Sequence, residues 1–166
     1  MDGDKWGYEE RWEKTLVPLA SELERHIRQY VNCPRIDRIA VRAKGVDKFI
    51  KKAQKLEYGK PKYSNPLSQI QDQIGARIIT FYLADVPSVC EIIETYFRKI
   101  EDKFIVPDSE KEFGYTGRHF ILRLPTDLTS ELEEDSFPEF FELQVKTLFQ
   151  HAWSEAEHDL GYKPCS

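Results

Sequence analysis

Cysteine is scarce in this chain, and the three present, Cys33, Cys90 and Cys165, form no CxxC pair and no short-range pairing with histidine. A disulfide framework and a cysteine-based zinc knuckle are both excluded, and a reducing, cytoplasmic setting is expected. No stretch approaches the ~18 consecutive apolar residues that a membrane-spanning helix needs. The N-terminus carries Asp2, Asp4, Glu9 and Glu10 rather than a basic apolar leader, so no membrane association or secretion is expected. HExxH is absent, as is any internal repeat or low-complexity tract. A large positive charge is lacking too: 24 basic against 29 acidic residues give a net charge of -5, which argues against a protein that coats duplex DNA.

What is present suits one globular core. The chain has 166 residues, 40% of them hydrophobic and 32% charged. At this length roughly 70% of the unfolded surface can be buried, so neither a disulfide nor a metal is needed to hold the fold. Charge is segregated along the chain. Between Arg35 and Lys62 there are ten basic residues and three acids, whereas Pro125 to Glu142 carries seven acids and no Lys or Arg. A lysine run is also what an ordinary solvated helix face looks like. The spacing adds something: Arg42 and Lys44 share a strand face by period two, and Lys48 and Lys52 share a helix face by i, i+4. That pattern can aim several cations at one polyphosphate.

Hydrophobic periodicity supplies the elements. Leu16, Leu19, Leu23, Ile27 and Tyr30 repeat at helical spacing with Pro18 in a first turn, so one or two helices open the chain over 1–34. Ile36–Val41 reads as a strand, a basic helix runs from about Asp47 to Leu56, and a polar loop follows over Lys60–Pro66. Ile74–Tyr82 is too apolar for a half-exposed strand and is expected at the centre of a sheet. Asp85 is expected to cap a helix carrying Val89, Ile92, Ile93, Tyr96 and Phe97. Strands are expected at Phe104–Val106, His119–Leu124 and Phe140–Val145, and a last helix from Thr147. This order predicts an α/β (α+β) fold: a mixed sheet of about five strands flanked by helices.

Chemistry concentrates in a few places. Strand Phe141–Lys146 alternates, so Glu142, Gln144 and Lys146 point together away from the core face of Phe141, Leu143 and Val145. Such a row is either a wet edge or a set of contacts for metal, ribose and phosphate. Asp72 precedes the central strand and Arg77 lies within it; if that strand neighbours Phe140–Val145, Asp72 and Glu142 can face one cation while Arg77 engages phosphate. Gly114 and Gly117 bracket Tyr115, which is either a plain loop-to-strand connection or a stacking platform for a purine, with His119 downstream. His151, Glu155 and His158 share a face of the last helix, where hydrogen bonds to the protein's own sheet are the expected use rather than metal ligation.

Taken in order, Arg42-x-Lys44-x₃-Lys48-x₃-Lys52, Asp72-Gln73-Ile74-Gly75-Ala76-Arg77, Gly114-Tyr115-x₃-His119, Glu142-Leu143-Gln144-Val145-Lys146-Thr147 and His151-Ala152-Trp153-x-Glu155-x-Glu157-His158-Asp159-Leu160 make a set. This set resembles the synthetase domain of the RelA/SpoT family of alarmone synthetases, over about residues 36 to 163. The resemblance implies a nucleotidyltransferase-like fold over 35–166. It also implies transfer of the β,γ-pyrophosphate of ATP to the ribose 3′-hydroxyl of GDP or GTP, with Mg²⁺. By the same resemblance Asp72 and Glu142 hold the metal, Glu142 alternatively serving as base. Arg42, Lys44, Lys48 and Lys52 bind ATP, with Arg42 stacking on adenine. Tyr115 stacks on the acceptor guanine, with Lys111, Arg77, His119, Gln144 and Lys146 near the acceptor or its phosphates.

Three places depart from the family's usual residues: Lys48 for Ser, Thr116-Gly117-Arg118 between Tyr and His, and Lys146 for Arg, which forfeits bidentate geometry. The added charge of Arg118 and Lys48 motivates an alternative, a related transfer to adenine nucleotides or a tRNA 3′ end; a non-catalytic nucleotide-binding module is a third reading. Residues 1–34 are too few for the hydrolase domain of long family members, so a synthetase-only protein or a detached domain is expected. Homo-oligomerisation is left open by the sequence.

Overall fold

The structure, a computed structural model, describes residues 6–105 and 117–162, with side chains placed for 6–102 and 117–156. The chain opens with one long helical rod: α1 (Tyr8–Arg11), a π-helical turn (Trp12–Leu16) and α2 (Val17–Tyr30). Pro18 sits in the first turn of α2, as its spacing predicts. Lacking an N–H and crowding the carbonyl one turn back, it breaks the α ladder, and the widened π turn lies just before it. Leu16, Leu19, Leu23 and Ile27 form the buried stripe, while Tyr30 is half-exposed and stacks on Tyr96 at 4.4 Å.

Then follow β1 (Ile36–Ala43), α3 (Val46–Ala53), a small hairpin of β2 (Leu56–Glu57) and β3 (Lys60–Pro61), and α4 (Pro66–Gln69). After these come β4 (Ile74–Thr80), α5 (Val86–Tyr96), β5 (Lys99–Ile105), β6 (Gly117–Arg123), α6 (Thr126–Thr129), β7 (Phe140–Thr147) and α7 (Leu148–Tyr162). The main sheet has the order β1-β4-β7-β6-β5. β4 and β7 pair in parallel and every other pair is antiparallel, which makes the expected five-stranded mixed sheet.

The two faces differ. Ile39, Ile74, Ala76, Ile78, Phe120, Leu122, Phe141, Leu143 and Val145 join the helical stripe and Val89, Cys90 and Ile93 of α5 in one core. At about 25 cal/mol per Å², this burial is the main stabilising force of the fold. The opposite face carries polar side chains and, among the described residues, is roofed toward the C-terminal ends of β4 and β7, where α7 packs back on both strands.

Four expectations need correction. The basic helix stops at Ala53 instead of Leu56, because the chain turns into the β2–β3 hairpin. Its two-residue turn, Tyr58-Gly59, has positive φ at both positions, and only glycine takes that conformation without steric cost. Asp85 holds the N-cap position of α5 at the end of a 3₁₀ turn, Leu83–Asp85, but its carboxylate makes no capping hydrogen bond and instead accepts from Arg35 at 2.5 Å. β5 begins at Lys99, well before Phe104, because an edge strand rich in Lys99, Glu101 and Asp102 hides its period. The last helix begins at Leu148, with Thr147 as its cap. The Gln150 N–H donates to Thr147 Oγ1 at 3.1 Å, and the Thr147 N–H donates to Gln150 Oε1 at 2.8 Å, a reciprocal capping box.

Candidate active site

The polar face of the sheet is ordered by register. Arg42 pairs with Gly75 and Gly75 with Glu142; one step along, Ala40 pairs with Arg77, Arg77 with Gln144 and Gln144 with His119. Paired residues point to the same side, so side chains far apart in sequence from four strands form two adjacent rows. Over these rows opens a cavity of about 540 Å³, walled by Arg42, Lys44, Lys48, Asp72, Arg77, Glu142 and Gln144 and by the start of α3. Seven of the twelve residues singled out from the sequence thus meet in one place.

Asp72 is held there by its neighbour. The buried Gln73 amide donates to the carbonyls of Leu67 (2.7 Å) and Ile70 (2.9 Å), fixing the loop before β4, and the Gln73 carbonyl accepts from the Lys44 N–H at 2.7 Å. From the N-terminal rod Tyr8 donates its hydroxyl to the Lys44 carbonyl at 2.8 Å and stacks on Phe49 of α3 with ring centroids 3.7 Å apart. Both anchors bring Lys44 and α3 up to Asp72. Lys44 Nζ lies 2.9 Å and Lys52 Nζ 2.8 Å from the two oxygens of Asp72. Burial pushes the Asp72 carboxyl up, but the hydrogen bonds and charges of the two lysines outweigh it and leave the group below its usual range. Lys48 lines the cavity from the first turns of α3, exposed. That helix has no side-chain cap, so its N-terminal N–H groups add to the positive potential beside Asp72.

Glu142 lies on the next strand. Its carboxylate is 3.2 Å from His119 Nδ1 and accepts from Gln144 Nε2 at 3.4 Å. The hydrogen bond to His119 lowers its pKa most; burial and the Asp72 charge work the other way without overcoming it. Asp72 and Glu142 both line the one cavity.

Lys146 departs from the expected row. It is 3% exposed, roofed by α7, with Nζ 3.4 Å from Ser154 Oγ. Burial and the nearby Arg77 charge push it down to about 8, against a partial pull upward from Glu155. Arg77 Nη1 lies 3.6 Å from Glu155, so the expected internal use of the α7 polar face holds for this residue. The His158 side chain, Tyr115 and Lys111 lie outside the described residues. Arg118 faces away from the cavity. It is adjacent to His119 on β6 and so points to the opposite side, where it forms a bidentate ion pair with Asp102 and reaches Glu94 at 3.4 Å. The idea that Arg118 adds charge near the site is therefore corrected.

Ala40, Gly75 and Asp47 also line the cavity, and the sequence marks none of them as a binding residue. Strand alternation places the first two beside Arg42 and Arg77, but a methyl group and a hydrogen carry no chemical signal. Among the described residues no three His, Cys, Asp or Glu side chains converge as a complete metal site, and no helix is long and apolar enough to cross a membrane.

Two carboxylates and several cations around one open cavity make a site whose charge is suited to a phosphate-bearing ligand. Residues 41–165 match the family described as a region found in RelA / SpoT proteins, and the chain belongs to that family. It is similar to the GTP pyrophosphokinase YwaC of Bacillus subtilis (strain 168), 29% identical over 98 residues, covering 57% of this chain and 43% of that protein. It is also similar to the GTP pyrophosphokinase YjbM of the same organism, 26% identical over a 171-residue alignment, covering 93% of this chain and 75% of that protein. In fold it resembles the small alarmone synthetase 1 from Bacillus subtilis bound to its product pppGpp, with a TM-score of 0.64 and 23% identity over 95% of this chain and 80% of that one.

Proposed function

We propose that this chain is an ATP-dependent nucleotide pyrophosphokinase that moves the β,γ-pyrophosphate of ATP onto the ribose 3′-hydroxyl of GDP or GTP. The observation that carries this reading is the meeting of Asp72 and Glu142 over one cavity with Arg42, Lys44, Lys48 and Arg77 around it. Family membership and the names of the two curated relatives support it.

In the transfer, a bond forms between the acceptor's 3′-oxygen and the β-phosphorus, the bond from that phosphorus to the α,β-bridging oxygen breaks, and AMP leaves. Such chemistry needs positioning and charge neutralisation rather than a covalent nucleophile. Arg42, Lys44, Lys48 and Lys52 bind the donor, and Lys44 and Lys52 exchange Asp72 for phosphate oxygens when it arrives. Glu142, oriented by His119 and Gln144, accepts the proton of the attacking hydroxyl or its equivalent through water. Arg77, His119, Gln144, Tyr115 and Lys111 serve the acceptor side, while Lys146, buried under α7, holds that helix over the sheet beside Arg77.

Mg²⁺ fits the donor set, because that ion is commonly held by one or two carboxylates, here Asp72 and Glu142, with substrate phosphates completing its shell. When bound it supplies charge neutralisation at the phosphoryl oxygens. Residues 35–166 form the synthetase unit in this reading, and the helical run Tyr8–Tyr30 buttresses it through Tyr8 and the buried stripe.

The test is incubation with ATP and Mg²⁺ and, in parallel, GDP, GTP, ATP alone and tRNA as acceptors. AMP and a 3′-pyrophosphorylated guanine nucleotide are expected. Transfer confined to ATP or tRNA would move the assignment to the alternative acceptors, and nucleotide binding without any transfer would refute catalysis.

A further inference from the structure

Gly75 is the second residue of β4 and is paired on both sides, to Arg42 of β1 and to Glu142 of β7, a position where glycine is a poor choice, since it packs nothing and has the most backbone freedom to lose. The usual reasons for a glycine do not apply here. Its backbone is outside the left-handed region. A Cβ built on it meets no other heavy atom within 4 Å, so no neighbour needs the space. The room above Gly75 belongs to the cavity. Across the ladder stand Arg42 on one side and Glu142 on the other, and Asp72 lies three residues upstream. The diagonal neighbour on the same face, Ala40, is small as well. A bare patch of strand is therefore ringed by charged side chains of both signs, which suits a phosphate chain and its counter-ion better than a ring system seeking apolar faces.

We propose that Gly75 is a specificity-determining residue: its bare backbone seats the polyphosphate of the nucleotide between Asp72 and Glu142, and any side chain there excludes it. This rests on the pyrophosphokinase reading above. It assigns to glycine a function of vacancy, with the ligand itself as the neighbour that a Cβ would meet.

Gly75→Ala and Gly75→Val test it in the full chain. Both should fold, with melting temperatures close to or above wild type, because a Cβ at this position meets no heavy atom within 4 Å and a β-branched residue favours a strand. Titration calorimetry with Mg²⁺ and an ATP analogue carrying a methylene at the α,β bridge should show affinity falling about tenfold for Ala and about a hundredfold for Val. AMP, lacking the β and γ groups, should lose less than about threefold. A Val variant that binds the analogue like wild type overturns the proposal, as does an equal loss for AMP and the analogue. If wild type neither binds the analogue nor yields product, the functional reading itself falls and this inference with it; an active wild type with an unimpaired Val variant overturns the Gly75 role alone.

Discussion

Lys44 Nζ lies 2.9 Å from Asp72 Oδ2 in a chain where Asp72 is also a metal-ligand candidate, and Lys52 closes on the other oxygen at 2.8 Å. The site's carboxylate is thus neutralised by cations assigned to the donor's phosphates. Asp72→Asn should reduce transfer about 100-fold or more, the scale seen when one electrostatic group is removed from a preorganised site. With chelator present, its affinity for a non-hydrolysable ATP analogue should equal or exceed wild type, because both ammonium groups are released. Weaker metal-free binding in Asp72→Asn would contradict this.

The same pair sets an acid limit to stability. A carboxyl held below its ordinary value of 3.8 adds stability above that pH, and the contribution is lost as pH falls through the folded-state value. Acid unfolding of Asp72→Asn, followed by circular dichroism, should depend less steeply on pH below about 4.

His119 should control the protonation of Glu142. Because its hydrogen bond is the main influence lowering that carboxyl, His119→Ala should raise the Glu142 pKa toward the ordinary 4.5. The acid limb of the pH–rate profile for transfer should move to higher pH by the same shift. An unmoved limb with a lower plateau would mean that His119 acts on the acceptor alone.

Lys146 is a buried ammonium whose pKa falls to about 8. The unfolded chain binds the extra proton between that value and the ordinary 10.5, so this group's contribution to stability improves as pH rises through the interval. Lys146→Met should be more stable than wild type at pH 7 by about 1–3 kcal/mol and should flatten this rise. Denaturant melts at pH 7 and 10 measure both.

Arg118 provides the contrasting case. Its ion pair with Asp102 lies on the face away from the cavity, so Arg118→Ala should lower stability by about 1–2 kcal/mol while leaving turnover within about twofold of wild type.

The legible parts of this protein were those governed by period and sign. Alternation in Phe141–Lys146 placed Glu142 and Gln144 on one face, and the apolar run from Ile74 placed β4 inside the sheet. Register could not be read: nothing local says that Gly75 meets both Arg42 and Glu142, since that follows from pairing across three strands. The burial of Lys146 was hidden for a related reason, because the alternation that points it off the core face cannot reveal that α7 folds back over it. Arg118 misled because charge near His119 in sequence lies on the other side of the sheet in space.

The most direct measurement follows the label from ATP carrying ³²P at the β position, incubated with Mg²⁺ and GDP or GTP. Unlabelled AMP should appear as the label moves intact, as pyrophosphate, to the acceptor's 3′-oxygen, and Asp72→Asn and Glu142→Gln should each suppress the transfer. Label released as free phosphate or pyrophosphate, or transfer undiminished in either variant, would contradict a site built on these two carboxylates.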